Sequence, residues 1–82
     1  MNTSHKSYDP ISDFIISKGL RIESLHIHEN RLLIFLNSAQ ILIDSIENHE
    51  RLKNASAAQL HDFRLIANGT GIHWPSLDED LS

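Results

Sequence analysis

Leu32-Leu33-Ile34-Phe35-Leu36, preceded by Arg31, carries apolar residues at both parities, the pattern of a central strand covered on both faces. Around it the chain keeps a period of two through residues 21–45. Leu25 and Ile27 alternate with Ser24, His26 and His28 on one side, and residues 40–44 form another apolar-rich run on the other. Glu29-Asn30 and Asn37-Ser38-Ala39 separate these runs and are short enough for hairpin turns. The expectation is three antiparallel strands in a meander, with helices or a partner covering the second face of the middle strand.

The flanks supply the helices and a second hairpin. Asp9 followed by Pro10 is a helix start, a capping carboxylate followed by a residue preset for the first turn, and Gly19 is a matching stop. Ile11, Phe14 and Ile15 fall on one face between them, so a short helix is predicted over 10–18. Ser45 can cap a short helical segment containing Glu47, His49, Arg51 and Leu52. Ser56-Ala57-Ala58-Gln59 is a capping box opening a turn or two through Phe63, with Leu60 and Phe63 as core residues. Leu65-Ile66 returns to strand, residues 68–71 turn, and Ile72-His73-Trp74 completes a hairpin with Ile72 and Trp74 on one face. Pro75 ends that strand because it has no N–H for the ladder. The fold class expected is α+β: one small domain over 1–82, a three-strand meander plus a C-terminal hairpin with short helices packed on the sheet, and residues 1–8 as a flexible N-terminus.

Composition narrows the function. A chain of 82 residues buries roughly 60–65% of its unfolded surface, enough for a core but not for separate catalytic and binding domains. No apolar run approaches the ~20 residues of a membrane span, and Met1-Asn2-Thr3-Ser4-His5-Lys6-Ser7 lacks the apolar stretch of a secretory signal. With no Cys, disulfides, thiolate nucleophiles and Cys-based zinc sites are excluded, and a cytoplasmic location is expected. Net charge is −4 and the Lys and Arg residues are scattered singly, which disfavours direct nucleic-acid binding. An acidic surface instead suits approach to a basic protein.

Six histidines raise a metal question. His26 and His28, two apart on a strand, share a face, but zinc needs about three or four ligands. His73 and carboxylates such as Glu29 would have to complete the set, so the simpler reading places His26 and His28 on the solvent side of an amphipathic strand. No metal or cofactor is expected. The chain has no nucleophile elbow and no paired-carboxylate motif, so it is read as non-enzymatic, although a general-base role for His73 or Asp78 is conceivable. Gly69-Thr70-Gly71 is a hairpin turn without the Lys and following helix of a phosphate loop.

Gly71-Ile72-His73-Trp74-Pro75-Ser76-Leu77-Asp78-Glu79-Asp80-Leu81, with Arg51-Leu52-Lys53-Asn54-Ala55-Ser56 and Phe63-Arg64-Leu65-Ile66 upstream, resembles the family known as domain of unknown function 2442, over roughly residues 31–82. Three features depart from the family pattern. Asn37-Ser38-Ala39-Gln40 replaces an Asp-Gly turn, Asn48-His49-Glu50 replaces a tract often aromatic and Pro-containing, and the chain stops at Ser82 where relatives commonly continue through an apolar helix, an end that would leave apolar surface open to a partner. Genes for such domains often neighbour those of the domain of unknown function 4160 family, so the resemblance implies an antitoxin-like role.

The partner-binding residues expected on that reading are Asp78, Glu79 and Asp80 as one acidic cluster and Glu47 and Glu50 as another, docking on a basic protein or nucleoprotein and occluding its site. Trp74 or Leu77 would be the apolar anchor if exposed. Otherwise Trp74 is a core residue, and residues 78–80 form a solvated turn or helix start. Two alternatives stay open: a phage or mobile-element inhibitor of a host defence complex, anti-CRISPR-like in action, and a homo-oligomeric structural module, a homodimer for example, joined through a spare sheet face or edge.

Overall fold

The computed structural model describes residues 9–82, and the flexible segment expected over 1–8 lies outside them. The element order is helix α1 (Pro10–Ser17), strands β1 (Ile22–His28), β2 (Arg31–Leu36) and β3 (Ile41–Ser45), a 3-10 turn (Ile46–Asn48), helix α2 (Ala57–His61), then strands β4 (Arg64–Ile66), β5 (Gly71–Trp74) and β6 (Glu79–Leu81). They form two antiparallel three-strand sheets, β1-β2-β3 and β4-β5-β6.

The local signals work as their chemistry requires. The Asp9 carboxylate accepts from the Ile11 N–H at 2.8 Å, Pro10 fills the first helical position, and Gly19 takes the left-handed conformation that ends the helix. Glu29 and Asn30 both have positive φ, so the β1–β2 connection is a two-residue turn of the type that matches strand twist. In the β2–β3 turn, where the family's Asp-Gly is missing, Ala39 adopts φ +70 and Leu36 N–H donates to the Gln40 carbonyl. The turn closes without a glycine, at the cost of one left-handed Ala. Ser45 caps the 3-10 turn through Glu47 N–H, and Ser56 with Gln59 forms the reciprocal capping box of α2.

One core lies between the sheets and α1. Ile15 comes from α1; Ile22, Leu25, Leu32, Ile34 and Leu36 from one face of the first sheet; Ile46 and Leu52 from the connection; and Ile72, Trp74 and Leu81 from the second sheet. Ser12 of α1 is also buried, its hydroxyl donating to the Thr70 carbonyl at 2.8 Å and so tying helix to second sheet.

One expectation is corrected. Of Asp78-Glu79-Asp80, read as a turn or helix start, Asp78 lies in a turn but Glu79 and Asp80 belong to β6: Glu79 pairs with Trp74, Asp80 with His73 and Leu81 with Ile72, so the hairpin is a three-strand sheet. The physical cause is the 3-10 turn at Pro75–Leu77 with Asp78 at φ +52, which reverses the chain and delivers Leu81 to the core. On the outer side of β2, the side the sequence reading assigns to helices or a partner, Leu33 and Phe35 are half-buried, and beside them Ile41 and Ile43 of β3 are 49% and 65% exposed.

Candidate functional site

Strand parity divides the first sheet into two surfaces. Leu42 and Asp44 of β3 share the inner side with Leu32, Ile34 and Leu36, while Ile41, Ile43 and Ser45 share the outer side with Arg31, Leu33 and Phe35 of β2 and with Ser24, His26 and His28 of β1. The outer side thus holds four apolar residues, Leu33, Phe35, Ile41 and Ile43, rimmed by polar and basic ones. His26 meets the Phe35 ring edge to face at 5.2 Å, so His26 packs on the patch and His28 reaches past it toward Glu29, 3.9 Å away.

The same register defines the edge. Leu36 N–H donates to the Gln40 carbonyl and Ile46 N–H to the Asn30 carbonyl, so the ladder bonds fall on Gln40, Leu42, Asp44 and Ile46. The N–H and C=O groups of Ile41, Ile43 and Ser45 therefore point away from β2, and β3 is an edge of its sheet. The other edges carry charged residues: Glu23 on β1, Arg64 on β4, Glu79 and Asp80 on β6. On β3 the only charged residue is Asp44, whose side chain is directed inward to His49.

That inward contact is the most sheltered ionisable pair among the described residues. The Asp44 and His49 side chains are 14% and 9% exposed. His49 Nε2 is hydrogen-bonded to Asp44 Oδ2, and Asn48 Nδ2 donates to Asp44 Oδ1 at 2.8 Å. Beside them opens a cleft of about 290 Å³ lined by Asp9, Pro10, Ile11, Asp44 and Asn48. Two acidic residues, Asp9 at the start of α1 and Asp44 of β3, are among its lining. Sequence reasoning missed the pair, although the parity of Leu42, Asp44 and Ile46 places a carboxylate on the buried side of a strand, where it needs a partner.

The sequence-predicted contact residues are dispersed. Arg51 Nη1 donates to the Asp78 carbonyl at 2.6 Å and lies 3.3 Å from the Asp78 carboxylate. Glu50 lies 3.6 Å from Lys53, and Glu47 accepts from Asn30 Nδ2. Glu79 and Asp80 point to opposite sides of β6; Glu79 is half-buried and Asp80 is bonded to His73 Nδ1. Residues 78–80 are therefore not one acidic patch. Trp74 is corrected as an anchor: it is wholly buried, and its Nε1–H donates to the Leu60 carbonyl at 2.9 Å. Leu77 is half-buried against the core. His26 and His28 share the outer face as read, while His73 is held by Asp80 in the other sheet. No group of three or more His, Cys, Asp or Glu among the described residues converges to hold a metal. Nor is any helix among them long and apolar enough to cross a membrane.

Residues 22–82 match the model of a family described as Protein of unknown function (DUF2442). Among solved structures the chain is similar to the crystal structure of a protein of unknown function from Rhodospirillum rubrum ATCC 11170, with 26% identity over 77% of this chain and 78% of that one and a TM-score of 0.69. It also shares its fold with the solution structure of an uncharacterized protein from Chromobacterium violaceum, at 14% identity over 100% of this chain and 77% of that one, again with a TM-score of 0.69. No curated protein matches the chain.

Proposed function

The chain belongs to the DUF2442 family, and from that premise we propose that it is a non-enzymatic protein-binding module, antitoxin-like or inhibitory, that masks a basic partner protein. The observation carrying this reading is the open outer side of the first sheet. Contiguous exposed apolar surface rimmed by polar groups is unusual on a monomer and marks contact sites. Here exposed Ile41 and Ile43, with half-buried Leu33 and Phe35 beside them, form an apolar patch on a sheet whose inner side already supplies the core. The partner's chemistry follows from charge. At net −4 the domain repels acidic proteins and speeds encounter with basic ones, while the apolar patch supplies the contact that holds them. The acidic residues, Asp78, Glu79, Asp80, Glu47 and Glu50 among them, act in this scheme as the steering field.

Affinity capture from a bacterial host at low and then raised salt, with the wild type and Ile43→Lys side by side, tests the reading. The expected result is one basic protein or nucleoprotein complex held by the wild type, weakened by salt and lost with Ile43→Lys. Equal capture by both forms overturns the face as the contact. Recovery of the chain alone, as a dimer by light scattering, replaces masking with self-association through the same face.

A further inference from the structure

β3 joins three features that each specify part of a ligand. Its outward backbone groups at Ile41, Ile43 and Ser45 have no ladder partner among the described residues. The outer side of that edge is apolar, through Ile41 and Ile43. Its inner side ends at a cleft lined by Asp9, Pro10, Ile11, Asp44 and Asn48, where the Asp44 carboxylate is held by His49 and Asn48 and Asp9 Oδ1 accepts from Ile11 N–H. Natural sheets blunt their edges with charge, proline or a covering element. β3 has neither a proline nor an outward charge.

We infer that β3 accepts an extended segment of the partner as a fourth strand of the first sheet, a segment in which apolar residues alternate with Lys or Arg. This rests on the protein-binding reading above and names its mode. Strand addition lets main-chain bonds provide affinity, while alternate side chains provide selection. Beside β3 the two parities of an added strand meet different chemistry: one set lies next to Ile41 and Ile43 on the outer side, and the other turns toward the cleft side, alongside Leu42 and Asp44. An apolar side chain suits the first and a cation the second, so the segment is selected by alternation rather than by composition. Acidic segments are rejected twice, by the net charge and by the cleft carboxylates.

The test uses NMR titration of the full chain with three synthetic peptides: Lys-Val-Lys-Val-Lys-Val, its glutamate counterpart Glu-Val-Glu-Val-Glu-Val, and the blockwise Lys-Lys-Lys-Val-Val-Val. The alternating lysine peptide is expected to shift and protect the amides of Ile41, Ile43 and Ser45, and the other two are not. Ile43→Pro removes an outward donor that the fold does not use, a substitution an edge strand tolerates, and should abolish the shifts while the Trp74 indole signal stays in place. Asp9→Ser keeps a capping oxygen but removes a cleft charge, and should weaken binding about two- to fivefold, the worth of a partly exposed ion pair. Equal binding of the glutamate or blockwise peptide, shifts confined to residues 78–80, or binding unaffected by Ile43→Pro overturns strand addition. Partner capture that is lost with Ile43→Lys but kept with Ile43→Pro leaves the protein-binding reading standing and overturns this one. No capture by the wild type overturns the protein-binding reading itself.

Discussion

Ile43 and Ile34 are the same residue type on adjacent strands, one 65% exposed and the other wholly buried, and the contrast predicts their substitution costs. Full burial of an Ile side chain stabilises by about 1.5–3 kcal/mol. About a third of Ile43 is sheltered, so Ile43→Thr, which keeps the β-branch, should cost about 0.5–1 kcal/mol at most. Ile34→Ala removes buried methyl groups and leaves a cavity among Leu25, Leu32 and Leu36, for about 2–5 kcal/mol. A domain of this length is stable by about 4–12 kcal/mol, so the second variant approaches the folding threshold and the first does not. Urea unfolding followed by Trp74 fluorescence measures both, with far-ultraviolet circular dichroism as a second probe of the same transition. If Ile43→Thr costs as much as Ile34→Ala, the outer face is covered in solution, and the reasoning that makes it a contact surface is refuted.

Other substitutions test the site and its supports. Trp74→Phe removes the indole donor to the Leu60 carbonyl and leaves a void in the core, and should cost about 2–4 kcal/mol in urea melts followed by circular dichroism. Asp44→Ala strips His49 and Asn48 of a shared acceptor, for a loss of about 1–3 kcal/mol. Adding His49→Ala to that variant should cost less than His49→Ala alone, with a coupling of about 0.5–3 kcal/mol in the double-mutant cycle. Gly71→Ala would bring a Cβ to 2.9 Å from the Leu81 carbonyl and 3.0 Å from the Ser82 Cβ. Because one of these contacts is backbone, β6 must shift, at about 1–3 kcal/mol by thermal melting.

Much of the fold could be read from local chemistry, because the deciding residues act on near neighbours. Asp9, Pro10 and Gly19 bound α1, Glu29-Asn30 closes the first hairpin, and Ser56 with Gln59 opens α2. β6 was not legible for the opposite reason. Glu79 and Asp80 have poor strand propensity, and they are extended because they pair with Trp74 and His73 and because Leu81 enters the core. The apolar run of β2 promised cover on both faces, but parity alone cannot say whether that cover comes from the same chain. Asp44 and His49 meet across the end of a strand and a 3-10 turn, and their spacing matches no helical or strand period. The alternation of Leu42, Asp44 and Ile46 was the one available signal. The acidic clusters were read as surface charge, whereas Arg51, Lys53, Asn30 and His73 engage most of them.

The most direct test of the central claim is amide hydrogen exchange across the chain, free and saturated with the captured basic partner. The account predicts added protection at Ile41, Ile43 and Ser45 and along β2, with β4, β5 and β6 unchanged. A footprint over Glu47, Glu50 and residues 78–80 with β3 unaltered would contradict it, and would return the contact to the acidic surface.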